Sequence, residues 1–170
     1  MKQFIALLLL PLMMACGQAE AETKVPAFFA EVVGNWDGTQ RLMGTDVEFE
    51  ASYQVHVTED NMLVHEFKSN WNGAFAGREE MTFDADGKLH AKWTDTAESE
   101  EILSTGSYDA ATNTLTMLGT GPNWSNPEEI VTFEHITVYK DGKSDYTMSM
   151  ISADGTRTEV IWINMVKRNA

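Results

Sequence analysis

Two of the four histidines stand where strand alternation would turn them inward. His65 shares a face with Leu63 and Phe67, and His135 shares one with Val131, Phe133 and Tyr139. An inward histidine either completes a hydrogen-bonded core or touches a ligand, and both readings stand open at this level. His56 and His90 fall on polar faces and read as surface residues. No His-x-His or Cys/His ligand spacing occurs, so no metal site is expected. Asp95, Glu98, Glu100 and Glu101 form a second group. Paired carboxylates perform acid–base chemistry when burial separates their pKa values. These lie in the hydrophilic run Thr94 to Glu101, which reads as a solvated loop, with weak divalent-cation binding as the alternative. The chain has no Gly-x-Ser-x-Gly elbow, phosphate-cradling loop or dinucleotide fingerprint. Neither catalysis nor a cofactor is expected.

The stronger signal is aromatic. Trp36, Tyr53, Trp93, Tyr108 and Tyr146 share inferred inward faces with Gln40, Met148 and Met150. A barrel either fills with such side chains or keeps room for one small ligand. A ligand pocket needs a mostly apolar wall with a few polar groups. Trp36, Gln40, Tyr53, His65, Trp93, Tyr108, His135 and Tyr146 are the candidate wall, for a small apolar or amphipathic molecule. The alternative is a filled barrel that acts as an envelope scaffold or interaction protein.

The elements that would position these residues are strands. Val47, Phe49, Ala51, Tyr53, Val55 and Val57 alternate with polar residues, and so do Leu89, Ala91 and Trp93, and Tyr146, Met148 and Met150. That is the period of antiparallel strands with one buried and one wet face. Asp84-Ala85-Asp86-Gly87, Asp141-Gly142 and Asp154-Gly155 are turn chemistry between such runs. The pattern predicts about ten strands, near 35–43, 46–58, 62–69, 77–84, 88–94, 100–108, 113–120, 129–140, 144–152 and 157–167. Short joints imply an up-and-down meander, and closure into a single all-β barrel removes its exposed edges. Gly34-x-Trp36-x-Gly38 places a large ring between glycines on the first strand, where the sheet would curl. Pro26 opens a short helical turn over Ala27 to Val32, whose Phe28 and Phe29 would pack across one barrel end. The last run, Trp162 to Arg168, alternates poorly and reads as a strand covered on both faces, zipped onto the first strand and touched by the N-terminal turn. Either Lys167 or Arg168 would then cover Trp36.

Residues 1–15 read as a signal segment: a positive start, then an apolar run from Phe4 to Ala15 too short to span a bilayer. The only cysteine, Cys16, follows directly and resembles a bacterial lipobox, although Met13 stands where Leu is usual. Lipid modification of Cys16 would anchor the chain to a membrane through a polar tether, residues 16–26, leaving residues 27–170 as the barrel domain. Gly17 in place of Asp favours an outer-membrane, periplasm-facing address. The rival is ordinary secretory cleavage after Ala21, releasing a soluble protein. Formal net charge is -14, which repels phosphate backbones and anionic headgroups. A nucleic-acid partner is not expected.

In order and spacing, several short motifs resemble domain-of-unknown-function family 1579, a lipocalin-like bacterial group. They are Gly34-x-Trp36-x-Gly38, Trp71-Asn72-Gly73 with Gly77, Trp93-Thr94-Asp95, Gly106-Ser107-Tyr108-Asp109, and Thr112 to Thr116 with Gly119 and Gly121. The resemblance runs from about Val33 to Arg168. It implies a calycin-type barrel and brings no established catalytic residues. Haem on a single histidine, as in nitrobindin-like barrels, is a minor alternative, against which the missing glycine pattern and C-terminal histidine of that group count.

Overall fold

The structure is a computed structural model that describes residues 26–97 and 101–168. The signal segment, Cys16, the tether up to residue 25, Glu98 and Glu100 lie outside the described residues. A helix α1 (Ala27–Val32) is followed by β1 (Gly34–Leu42), β2 (Glu48–Val57), β3 (Leu63–Ser69), β4 (Phe75–Phe83) and β5 (Leu89–Asp95). Then come β6 (Ile102–Asp109), β7 (Thr114–Asn123), β8 (Asn126–Lys140), β9 (Lys143–Ile151) and β10 (Arg157–Lys167). Each strand pairs antiparallel with its neighbour in sequence, and β1 pairs with β10 to close the barrel. Closure removes the two open edges that a flat sheet would have. The turn between β8 and β9 shows how local sequence sets this register: Asp141 and Gly142 take φ of 52° and 71°. Two successive left-handed residues make a type I′ turn, whose twist matches that of the flanking strands.

One end of the barrel is plugged. Phe28, Phe29 and Val32 of α1 are buried. Phe28 stacks on Tyr108 with ring centroids 4.3 Å apart, and Phe29 meets Phe83 edge-on at 5.8 Å. The Trp36 indole Nε1 donates to the Val32 carbonyl at 2.9 Å, tying the plug to β1. Burying each such ring contributes about 1.5–3 kcal/mol. A helix of six residues is too short to persist alone and is held here by that packing.

The ends of the barrel also settle which base covers Trp36. The Lys167 ammonium lies 5.5 Å from the Trp36 ring centroid and donates to the Glu31 carbonyl at 2.7 Å. Arg168 pairs with Asp37 on the outer face instead.

Three strands differ from their expected form. β7 and β8 extend past the expected ends into a long hairpin around Trp124 and Ser125. Pro122 lies in this extension, beyond the reach of β6, which pairs with β7 only as far as Gly119. In β10 the register shifts between Glu159 and Ile161. The extra residue of this bulge turns both Val160 and Ile161 inward. Past the bulge the strand alternates, with Ile163 and Met165 buried and Trp162 and Val166 on the outer face, and Val166 is 56% exposed, so the run is not covered on both sides.

Candidate functional site

The plug stops at the level of Trp36, and beyond it the barrel is hollow. A cavity of about 630 Å³ runs from Val32 and Trp36 to an open mouth near Trp71, Asn123 and Trp124. Ligand pockets typically occupy about 300–1,000 Å³, so there is room for one small molecule. One wall is an aromatic shelf. Tyr53 and Phe67 have centroids 5.0 Å apart, Phe67 and Trp93 6.4 Å, Phe75 and Trp93 6.5 Å, and Trp71 and Phe75 5.3 Å. Gly77 makes the shelf flat, because a Cβ there would lie 2.2 Å from the Trp93 ring.

Polar groups interrupt this apolar wall partway along the strands. His65 on β3 sits opposite Glu79 on β4, and its Nδ1 donates to Glu79 Oε2 at 3.0 Å. Burial opposes the charge on Glu79, but the hydrogen bond from His65, with the His65 and His135 rings nearby, outweighs it and holds the carboxyl below its ordinary value. The accessible part of the Glu79 side chain, 21%, belongs to a residue of the cavity wall. Across the barrel, His135 Nδ1 and the Tyr146 hydroxyl share a hydrogen bond of 2.7 Å. Burial pushes His135 down and Tyr146 up, so both stay uncharged at neutral pH. Tyr53 and Tyr139 are likewise pushed up by burial. Gln40 Oε1, His65 Nε2 and His135 Nε2 are buried without a partner in the protein, although all three residues line the cavity. A buried polar atom left unsatisfied costs about 1–3 kcal/mol.

Of the residues expected at the wall, Trp36, Gln40, Tyr53, His65, Trp93, His135 and Tyr146 line the cavity. Tyr108 stands apart: it stacks under Phe28 in the plug and donates its hydroxyl to Asn113 Oδ1 at 2.9 Å. His56 and His90 lie on the other face of their strands, and His90 pairs with Asp84 at 3.2 Å. Asp95 corrects the loop reading. It ends β5 on the Trp93 face, lines the cavity and accepts from the Trp93 indole at 2.7 Å. Glu101 stays outside, 3.5 Å from Lys92. Glu79 was not singled out in the sequence, although Phe75, Met81 and Phe83 share its parity and would have placed it inward. Among the described residues, no three His, Cys, Asp or Glu side chains converge as a metal centre requires.

The family described as "Protein of unknown function (DUF1579)" matches residues 21–167. The chain belongs to that family. The DUF1579 match spans the barrel and the helix that plugs it, so plug and cavity are both inside the family region. Among solved structures, the crystal structure of Rv2717c from M. tuberculosis is similar, with a TM-score of 0.63 at 10% identity. The alignment covers 85% of the DUF1579 chain and 98% of the other. At that identity the likeness concerns the fold alone. No curated protein matches the chain.

Proposed function

We propose that this DUF1579 protein is a carrier or sensor of one small apolar or amphipathic molecule, held inside the barrel of a lipid-anchored envelope protein. The observation that carries the reading is the cavity of about 630 Å³ whose wall is mostly apolar and aromatic, with a few polar groups partway down. A filled barrel would have favoured the scaffold alternative, and the hollow interior argues against it. The anchor rests on Cys16, and the acidic surface, with formal charge -14, suits a protein held by acyl chains rather than by attraction to anionic headgroups. The periplasm-facing address rests on Gly17 after that cysteine.

One preparation tests both parts. The full chain, expressed in a bacterium with two membranes, is fractionated and examined by native mass spectrometry. The expected outcome is a membrane-bound protein carrying one small molecule, released to the soluble fraction by Cys16→Ser with the molecule still bound. Wild type in the soluble fraction would remove the anchor. Protein free of any bound molecule, and unable to take up an uncharged fluorescent probe at a single saturable site, would return the scaffold reading.

A further inference from the structure

We infer that the cavity takes a cationic amphiphile, an amine on an apolar body, with its ammonium at Glu79 and its body along the aromatic shelf. This rests on the reading of the cavity as a ligand site and adds the charge of the ligand. The described cavity wall contains Glu79 and Asp95 but no lysine or arginine. Arg78 and Lys92 lie on the same strands but face outward, paired with Glu66, Glu80 and Glu101. Among the described residues, the connections at the mouth carry Asp46, Glu101 and Asp154 and no base, and the bases on the adjoining strand ends face outward: Arg41 lies over Trp162, Arg157 pairs with Glu134, and Lys68 is exposed. Lys88, Lys140, Lys143, Lys167 and Arg168 all sit at or beside the plugged end. A low-dielectric tube with acid at its entrance and along its wall concentrates cations and rejects carboxylates and phosphates.

The wall also asks for hydrogen-bond donors. Nε2 of His65, the ring nitrogen turned away from Glu79, is unpartnered. The unpartnered atom of Gln40 is its carbonyl oxygen, an acceptor. Glu79 has one oxygen engaged by His65, which leaves the other for a ligand. An ammonium carries several N–H donors and no acceptor, and so matches this inventory. Glu79 lies opposite Trp93 on β5, and the faces of Trp93, Phe67 and Tyr53 attract a cation where water is excluded.

The test is competition for the full chain loaded with uncharged N-phenylnaphthylamine, at neutral pH and below micelle concentrations. Dodecylamine, dodecanol and dodecanoate share one chain and differ in head charge. The amine should displace the probe at about tenfold lower concentration than the alcohol, the scale of one charge-assisted hydrogen bond, and the carboxylate should be weakest. Glu79→Gln should bring the amine level with the alcohol and leave the alcohol where it was. If the carboxylate matches or beats the amine while the alcohol still competes, the charge inference is overturned and the ligand cavity survives. If neither the probe nor any chain binds, the cavity reading falls and takes this one with it. An amine preference that persists in a folded Glu79→Gln protein overturns the assignment to Glu79. Should that variant not fold, by its thermal transition, the wild-type order of the three heads still decides the charge of the ligand.

Discussion

Trp36 is held by three different forces. Its indole N–H bonds to the plug, its face lies under Lys167, and its edge meets Tyr139 at 6.3 Å between centroids. Trp36 is buried and Lys167 half-buried, and a cation over an indole at such a site contributes about 0.5–2 kcal/mol. Lys167→Met should therefore lower stability by about that amount, and the loss should shrink but not vanish in a Trp36→Leu background, because Lys167 also bonds the Glu31 carbonyl. Arg168→Ala should add independently to Trp36→Leu, since its partner is Asp37. Chemical denaturation of the four proteins in each cycle measures both statements, and coupling at Arg168 instead of Lys167 would contradict the geometry. At this scale the apolar wall was legible and the acid within it was not. Trp36, Tyr53, Trp93 and Tyr146 announced their face by size and parity. Glu79 sits in the triplet Arg78-Glu79-Glu80, and three successive charges read as a wet surface unless parity is followed from Phe75 through to Phe83. Which of Lys167 and Arg168 meets Trp36 was not legible either, because the answer depends on pairing between strands more than a hundred positions apart in the chain.

The strand order was legible because turn residues punctuate a period of two, and a meander needs no long-range information to specify its neighbours. The seam between β1 and β10 is the exception, a long-range pairing whose geometry depends on one residue. Gly38 faces Met165 across the seam, and a Cβ there would lie 1.8 Å from the Asn164 carbonyl oxygen. That neighbour is backbone, so relief requires the two strands to part. Gly38→Ala should destabilise the barrel by about 1–3 kcal/mol or more, as overpacking does in a tight interior. Thr39→Ala, on the next residue and the opposite face, serves as control for altered strand propensity. A urea midpoint for Gly38→Ala equal to that of the control would show that the seam is looser than described. The bulge at Val160 was hidden for a related reason: two adjacent apolar residues are consistent with a bulge or with a strand buried on both faces, and only the partner strand distinguishes them.

The whole barrel joins a dense negative surface to a hollow interior containing uncharged histidine, and the two respond to acid with opposite sign. Protonating surface carboxylates relieves repulsion in a chain of net charge -14, which favours the fold as pH falls towards the sequence pI of about 4.5. The interior works the other way. His135 is pushed below its ordinary value of 6.5 by burial, so below that pH the unfolded chain binds a proton that the fold resists. Its contribution is present above 6.5 and is lost as pH falls towards the lowered value. Glu79 is held below its ordinary 4.5, so the unfolded chain again takes the proton first, and that contribution is lost only in stronger acid. The charged groups bearing on His135 are Glu79 and Glu134, and both favour its protonation, so burial is what keeps it neutral. Between about pH 7 and about pH 5.5 the two trends separate by residue: the wild-type melting temperature should fall relative to that of His135→Gln, whose amide does not titrate. Baseline stability of the variant will be lower because Tyr146 loses its imidazole partner, which makes the slope and not the offset the measurement. Parallel pH profiles for the two proteins would mean that His135 already reaches solvent through the mouth and is free to charge.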